Sequence, residues 1–141
     1  MFKKIFKKQT KEDTEKKDVL VCALLIHAAK MDENYTEVEK EIIKKALVDI
    51  NKITIEQAED LIKSAEKKEK ESNQIVKFTG EIKKYSMEYR LKIIEVIWKI
   101  VYSDGIADMY ESNLIRRICG LLYISGKDNG IIKIKVQKLL K

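Results

Sequence analysis

Asp32-Glu33-Asn34-Tyr35-Thr36-Glu37-Val38-Glu39 returns 72 residues later as Asp104-Gly105-Ile106-Ala107-Asp108-Met109-Tyr110-Glu111. In each copy an Asp leads, a residue suited to capping a helix stands four positions on (Thr36, Asp108), and a Glu follows three after that (Glu39, Glu111). The flanking apolar positions keep the same register: Leu24/Val96, Ile26/Trp98, Ile42/Leu114, Ile43/Ile115, Ala46/Ile118 and Ile50/Leu122. A match in both carboxylates and apolar positions reads as an internal duplication. Each unit is a long helix, a short acidic loop and a second helix packing back.

Working outward from the repeat, the chain divides into helices at marked starts. Leu20, Ala23, Leu24, His27, Ala28 and Met31 form one stripe at helical spacing, predicting a helix over 18–31. Thr36-x-x-Glu39 and Thr54-x-x-Gln57 are capping boxes that open a second and a third helix. The expected inward faces are Val38, Ile42, Ala46 and Ile50 on the second, and Ile55, Ala58, Leu61, Ile62 and Ala65 on the third. Residues 66–73 read as a solvated charge run that ends the third helix or joins it to the next. A fourth helix is expected over 74–84. Ser86 caps a fifth (Leu91, Ile94, Ile97, Trp98, Val101 inward), and Asp108 caps a sixth (Leu114, Ile115, Ile118, Cys119, Leu122 inward). After Ser125, Ile132, Ile134 and Val136 alternate like a strand, but Ile132, Val136, Leu139 and Leu140 fit a helix, and a lone strand would have no partner. The expected fold is all-α: a single domain of about seven helices in two duplicated units, helices 1–3 and 5–7, joined by helix 4.

The 141 residues contain no proline and five glycines, suit one domain, and suffice for a sizeable core. Cys22 and Cys119 lie in apolar runs and read as core thiols of a reducing compartment. The net charge of +6 is uneven: +4 over residues 1–17, −4 over 18–114 and +6 over 115–141. An acidic body with basic ends argues against a nucleic-acid binder with a basic face across its fold, although Arg116, Arg117, Lys133, Lys135 and Lys138 keep that class in view. Residues 1–17 read as a separate basic tail, ahead of a domain over 18–141. In it Phe2 and Phe6 flank Lys3, Lys4, Lys7 and Lys8, the composition of a surface anchor for an anionic membrane, or of a tail that docks on the body. No secretory signal or membrane span is seen, so the expected location is cytoplasmic, at most peripheral to the inner membrane face. A single His, no Walker or Rossmann glycine pattern, and no Ser or Cys set beside a base leave no support for an enzyme. Tyr85, Tyr89, Trp98, Tyr102, Tyr110 and Tyr123 read as core and boundary aromatics.

Capping accounts for Thr36/Glu39 and Asp108/Glu111, because acids and hydroxyls suit a helix amino terminus. It accounts less well for Asp32 and Asp104, which trail a helix carboxyl end where negative charge is unfavourable. Such an acid calls for a compensating partner: a lysine, a loop amide or a cation. Hard cations take several oxygens from a tight loop, and Asp104, Asp108 and Glu111 could supply them, as could Asp32, Glu33 and Glu39 in the first unit; the other reading is capping as the whole role of these acids. The EF-hand pattern is not met.

The stretch Val101-Tyr102-Ser103-Asp104-Gly105-Ile106-Ala107-Asp108-Met109-Tyr110-Glu111, closing a hydrophobic helix, resembles the aDGxixxxE signature of the TerB-like proteins. These comprise the tellurite-resistance B domain and relatives, including the amino-terminal domain of a membrane-anchored DnaJ-type co-chaperone. The resemblance spans about residues 18–140. It implies an all-helical domain with acidic residues suspected of binding metal, tied to stress response or membrane-associated complexes. Asp104, Asp108 and Glu111 match the signature, and Asp32 and Glu39 match it in the first copy, where Glu33 replaces the Gly and Thr36 the second Asp. The expected function is a non-enzymatic module whose acidic loops hold a divalent cation or a basic partner surface. The alternative is a membrane-surface adaptor held by the tail. The expected partner is another protein or an anionic membrane, with neither nucleic acid nor a small-molecule substrate.

Overall fold

A computed structural model describes residues 17–30, 36–71, 75–104 and 109–139, without the side chains of 104 and 109–112. The described residues form seven α-helices and no strand: α1 (17–30), α2 (Glu37–Asn51), α3 (Ile55–Glu71), α4 (Ile75–Ile82), α5 (Met87–Val101), α6 (Met109–Leu121) and α7 (Gly126–Leu139), with a 3-10 turn at Tyr102–Asp104 after α5. The last element is a helix, as the spacing of Ile132 and Val136 requires.

Two helices make the centre. Every residue of α1 from Leu20 to Ala29 is buried, so this helix is enclosed on all sides. In α5, Ile93, Ile94, Val96, Ile97, Trp98, Ile100 and Val101 are buried, and the helix packs on α2, α6 and α7. These are the helices that the 72-residue register aligns. The helices that follow the two acidic segments, α2 and α6, each end on a non-glycine residue in left-handed backbone, Lys52 (φ 53°) after α2 and Tyr123 (φ 57°) after α6. The latter turn is closed by the Ile124 amide donating to the Cys119 carbonyl at 2.8 Å. The next helices, α3 and α7, differ in length, with 17 and 14 residues.

Helix starts follow their caps. The Thr54 and Gln57 side chains exchange bonds with each other's amides at 3.1 and 2.9 Å. Ser86 accepts the Tyr89 amide, and Ser125 the Asp128 amide. The inward faces depart from expectation where two apolar stripes compete. On α2 the buried line is Glu39, Ile43 and Leu47, one position round from Val38, which is 59% exposed. Ile55 and Leu139 face outward, and Tyr123 lies on the surface beside Lys83 rather than in the core. The charge run 66–73 is not wholly solvated: α3 continues to Glu71, and Glu69 is buried because it extends the stripe Ala58, Ile62, Ala65 by one more turn.

Candidate functional site

Glu39 stands in the first turn of α2 with 5% of its surface exposed. Its Oε2 accepts the Thr36 amide at 2.9 Å, closing the capping box, and also the Thr36 hydroxyl. Its Oε1 faces the Ser103 hydroxyl at 3.3 Å. Ser103 holds one proton, shared between Glu39 and the Ile100 carbonyl at 2.7 Å. Thus the amino end of α2 meets the carboxyl end of α5, and the glutamate of the first acidic element touches the residue before Asp104. An open groove of about 380 Å³, lined by Val38, Ile42, Lys99, Ser103 and Leu139, brings solvent to Ser103.

The charge on Glu39 is unusual in its company. All three donors around it are neutral, and among the described residues no lysine, arginine or histidine pairs with it. A buried carboxylate is ordinarily paired with a cation or bound to a metal; here the cap bonds and the positive end of α2 offset part of the desolvation, and no full opposite charge among the described residues completes it. A hard-cation ligand fits this environment: Oε1 keeps a lone pair beyond its Ser103 contact, and oxygen neighbours suit such an ion. Asp104 ends the 3-10 turn next door, and Glu111 lies in the first turn of α6. The side chains of both are outside the described residues, as are Asp32 and Asp108 entirely. Of the expected metal set the structure therefore places Glu39 fully and the backbone of Asp104 and Glu111. Among the described residues no group of three or more His, Cys, Asp or Glu is poised for a metal. Phe2, Lys3, Lys4, Phe6, Lys7 and Lys8 also lie outside the described residues.

A second buried carboxylate was not singled out by the sequence. Glu69 on α3 receives Lys30 Nζ at 2.7 Å and lies 3.3 Å from His27 Nδ1, both on α1. His27 is buried and meets Phe78 edge-on at 6.3 Å. The signal was present: Glu69 falls on the apolar stripe of α3, and His27 on that of α1. Both thiols are buried and free. Burial pushes the Cys119 thiol up to about 12, and burial with the nearby Glu66 and Asp18 charges raises Cys22 further.

An all-helical body around two central helices, with an acidic helix start abutting the end of the second, defines a small α-helical module. The family model described as tellurite resistance protein TerB matches residues 18–133, and the chain belongs to that family. Neither a curated protein nor a solved structure matches it. No helix among the described residues is long and apolar enough to cross a membrane.

Proposed function

We propose that this TerB-family domain is a non-enzymatic, stress-related module that takes up a divalent cation where the start of α2 meets the end of α5. In this reading Glu39 and Asp104 are ligands, and Asp32, Asp108 and Glu111 supply further oxygens. The observation that carries the reading is Glu39: a carboxylate 5% exposed, surrounded by neutral donors, with no basic partner among the described residues. A cation would supply the missing charge and tie the two acidic elements together. A basic side chain of a partner protein would satisfy the same charge. The commitment of His27 to Glu69 and the burial of both thiols support a binding role over a catalytic one.

The test is titration with calcium, magnesium, manganese and zinc, read by thermal shift and calorimetry. One of them is expected to raise Tm by about 5–10 °C at saturation. Asp104→Asn should abolish the shift and Glu39→Gln should reduce it. If none of the four shifts Tm and Asp104→Asn leaves stability unchanged, capping is the whole role of these acids.

A further inference from the structure

Helix α7 is apolar on two sides. Its inner side carries Val136, fully buried, with Asn129 bonded to the Trp98 indole N–H and Gln137 donating to the Tyr102 hydroxyl. Its outer side carries Ile131 at 56% and Ile134 at 53% exposure, with Lys127, Lys135 and Lys138 also exposed. At about 100° per residue these five positions fall within roughly 100° of arc, so they form one strip of adjacent side chains. Isoleucine is a mediocre helix former, and here two of them stay more than half exposed.

Three features point to what covers the strip. Its cations are all lysine, and Lys127 and Lys138 have no carboxylate partner among the described residues, while Lys135 reaches Glu95 at 2.8 Å. The segment around it is strongly positive: residues 115–141 hold one acid, Asp128, at the amino end of α7. The rest of the folded body is net acidic, so an anionic plane would attract this end of the molecule and repel the remainder. Lysine stems can lie along apolar chains while their ammonium groups stay at the headgroups, whereas protein interfaces favour arginine and aromatic residues and deplete lysine. Nucleic acid would use the lysines but has no need of the isoleucines.

We propose that the outer face of α7 rests on an anionic lipid surface, with Ile131 and Ile134 entering the interface and Lys127, Lys135 and Lys138 at the headgroups. The contact is peripheral and independent of the cation reading. It uses a different part of the molecule from the amino-terminal tail.

The test is sedimentation of the full chain with phosphatidylcholine vesicles, with and without phosphatidylserine. Binding is expected to require phosphatidylserine and to weaken with salt. Ile131→Ser/Ile134→Ser should weaken it roughly ten-fold, and Lys127→Glu/Lys138→Glu roughly a hundred-fold. Circular dichroism checks that both remain folded, as expected for exposed positions. A full chain with Lys3, Lys4, Lys7 and Lys8 changed to Ser should keep the part of the binding that the α7 variants remove. In Ile131→Trp, the emission of the new indole should move to shorter wavelength with anionic vesicles and not with neutral ones. Unchanged sedimentation of the α7 variants, or no emission shift, overturns the proposal. So does RNA retardation in a gel that Lys127→Glu/Lys138→Glu abolishes while vesicles go unbound.

Discussion

Glu39 and Glu69 are equally buried and oppositely served. Glu39 is held by the amide and hydroxyl of its own helix cap and by a serine across the fold. Glu69 is held by a lysine and a histidine from another helix, 39 and 42 residues away. The first arrangement leaves a net negative charge in place; the second comes close to neutralising one. The contrast separates the two uses of a buried acid in this domain. Where a lysine and an imidazole meet it, the carboxylate fastens α3 to α1. Where only neutral donors surround it, the carboxylate remains able to take a further positive partner.

The comparison can be tested in order of effect, once its pH window is set. Both thiols ionise in the unfolded chain near about pH 8.5 but stay protonated in the fold well above it. Above that pH the native state holds more protons than the unfolded one, so stability falls as pH rises. The expected loss is about 1.4 kcal/mol per pH unit for each thiol, continuing toward about pH 12 for Cys119. Urea unfolding from pH 7 to 10.5 should show this slope. The Cys22→Ala/Cys119→Ala chain should flatten it, and an equally steep slope there would assign the loss elsewhere.

Within that window, Glu69→Ala is expected to cost about 2 kcal/mol at pH 7, less than a fully buried pair because Lys30 can turn to solvent. A loss under about 0.5 kcal/mol would mean that the contact adds nothing net. Glu39→Ala should cost about 1–1.5 kcal/mol through the lost cap, and Glu39→Gln, which keeps an acceptor oxygen, about 0.5. Ser103→Ala should cost about 0.5 kcal/mol and almost nothing on top of Glu39→Ala. Strict additivity of those two would sever the link between the acidic elements. The sharpest discriminator is the cation itself: Glu69→Ala should retain in full the thermal shift that Glu39→Gln reduces.

Much of this was legible in the chain. The helix starts at Glu37, Ile55 and Met87 are local events, set by a side chain and an amide three residues apart, so Thr36, Thr54 and Ser86 announce them. The family signature around Asp104 is likewise contiguous. What escaped was non-local or a matter of small rotations. Glu69 looks like one charge in an eight-residue polar run until the path of α1 brings Lys30 and His27 to it. Val38 and Ile43 both lie at helical spacing, and the positions of α3 and α5 decide which is covered. Ser103 carries no signal of its own, since a serine after an apolar helix is unremarkable until α2 arrives beside it.

The bond between Ser103 and Glu39 joins positions 64 residues apart. Thr36 and Glu39 can find each other as soon as one helical turn forms. Ser103 can join them only after the chain from α2 through α5 has closed a long loop, whose entropy must be met before the contact gives anything back. The start of α2 is therefore expected to be completed late in folding. Removing the serine should leave the folding rate nearly unchanged and speed unfolding, the kinetic mark of an interaction absent from the transition state.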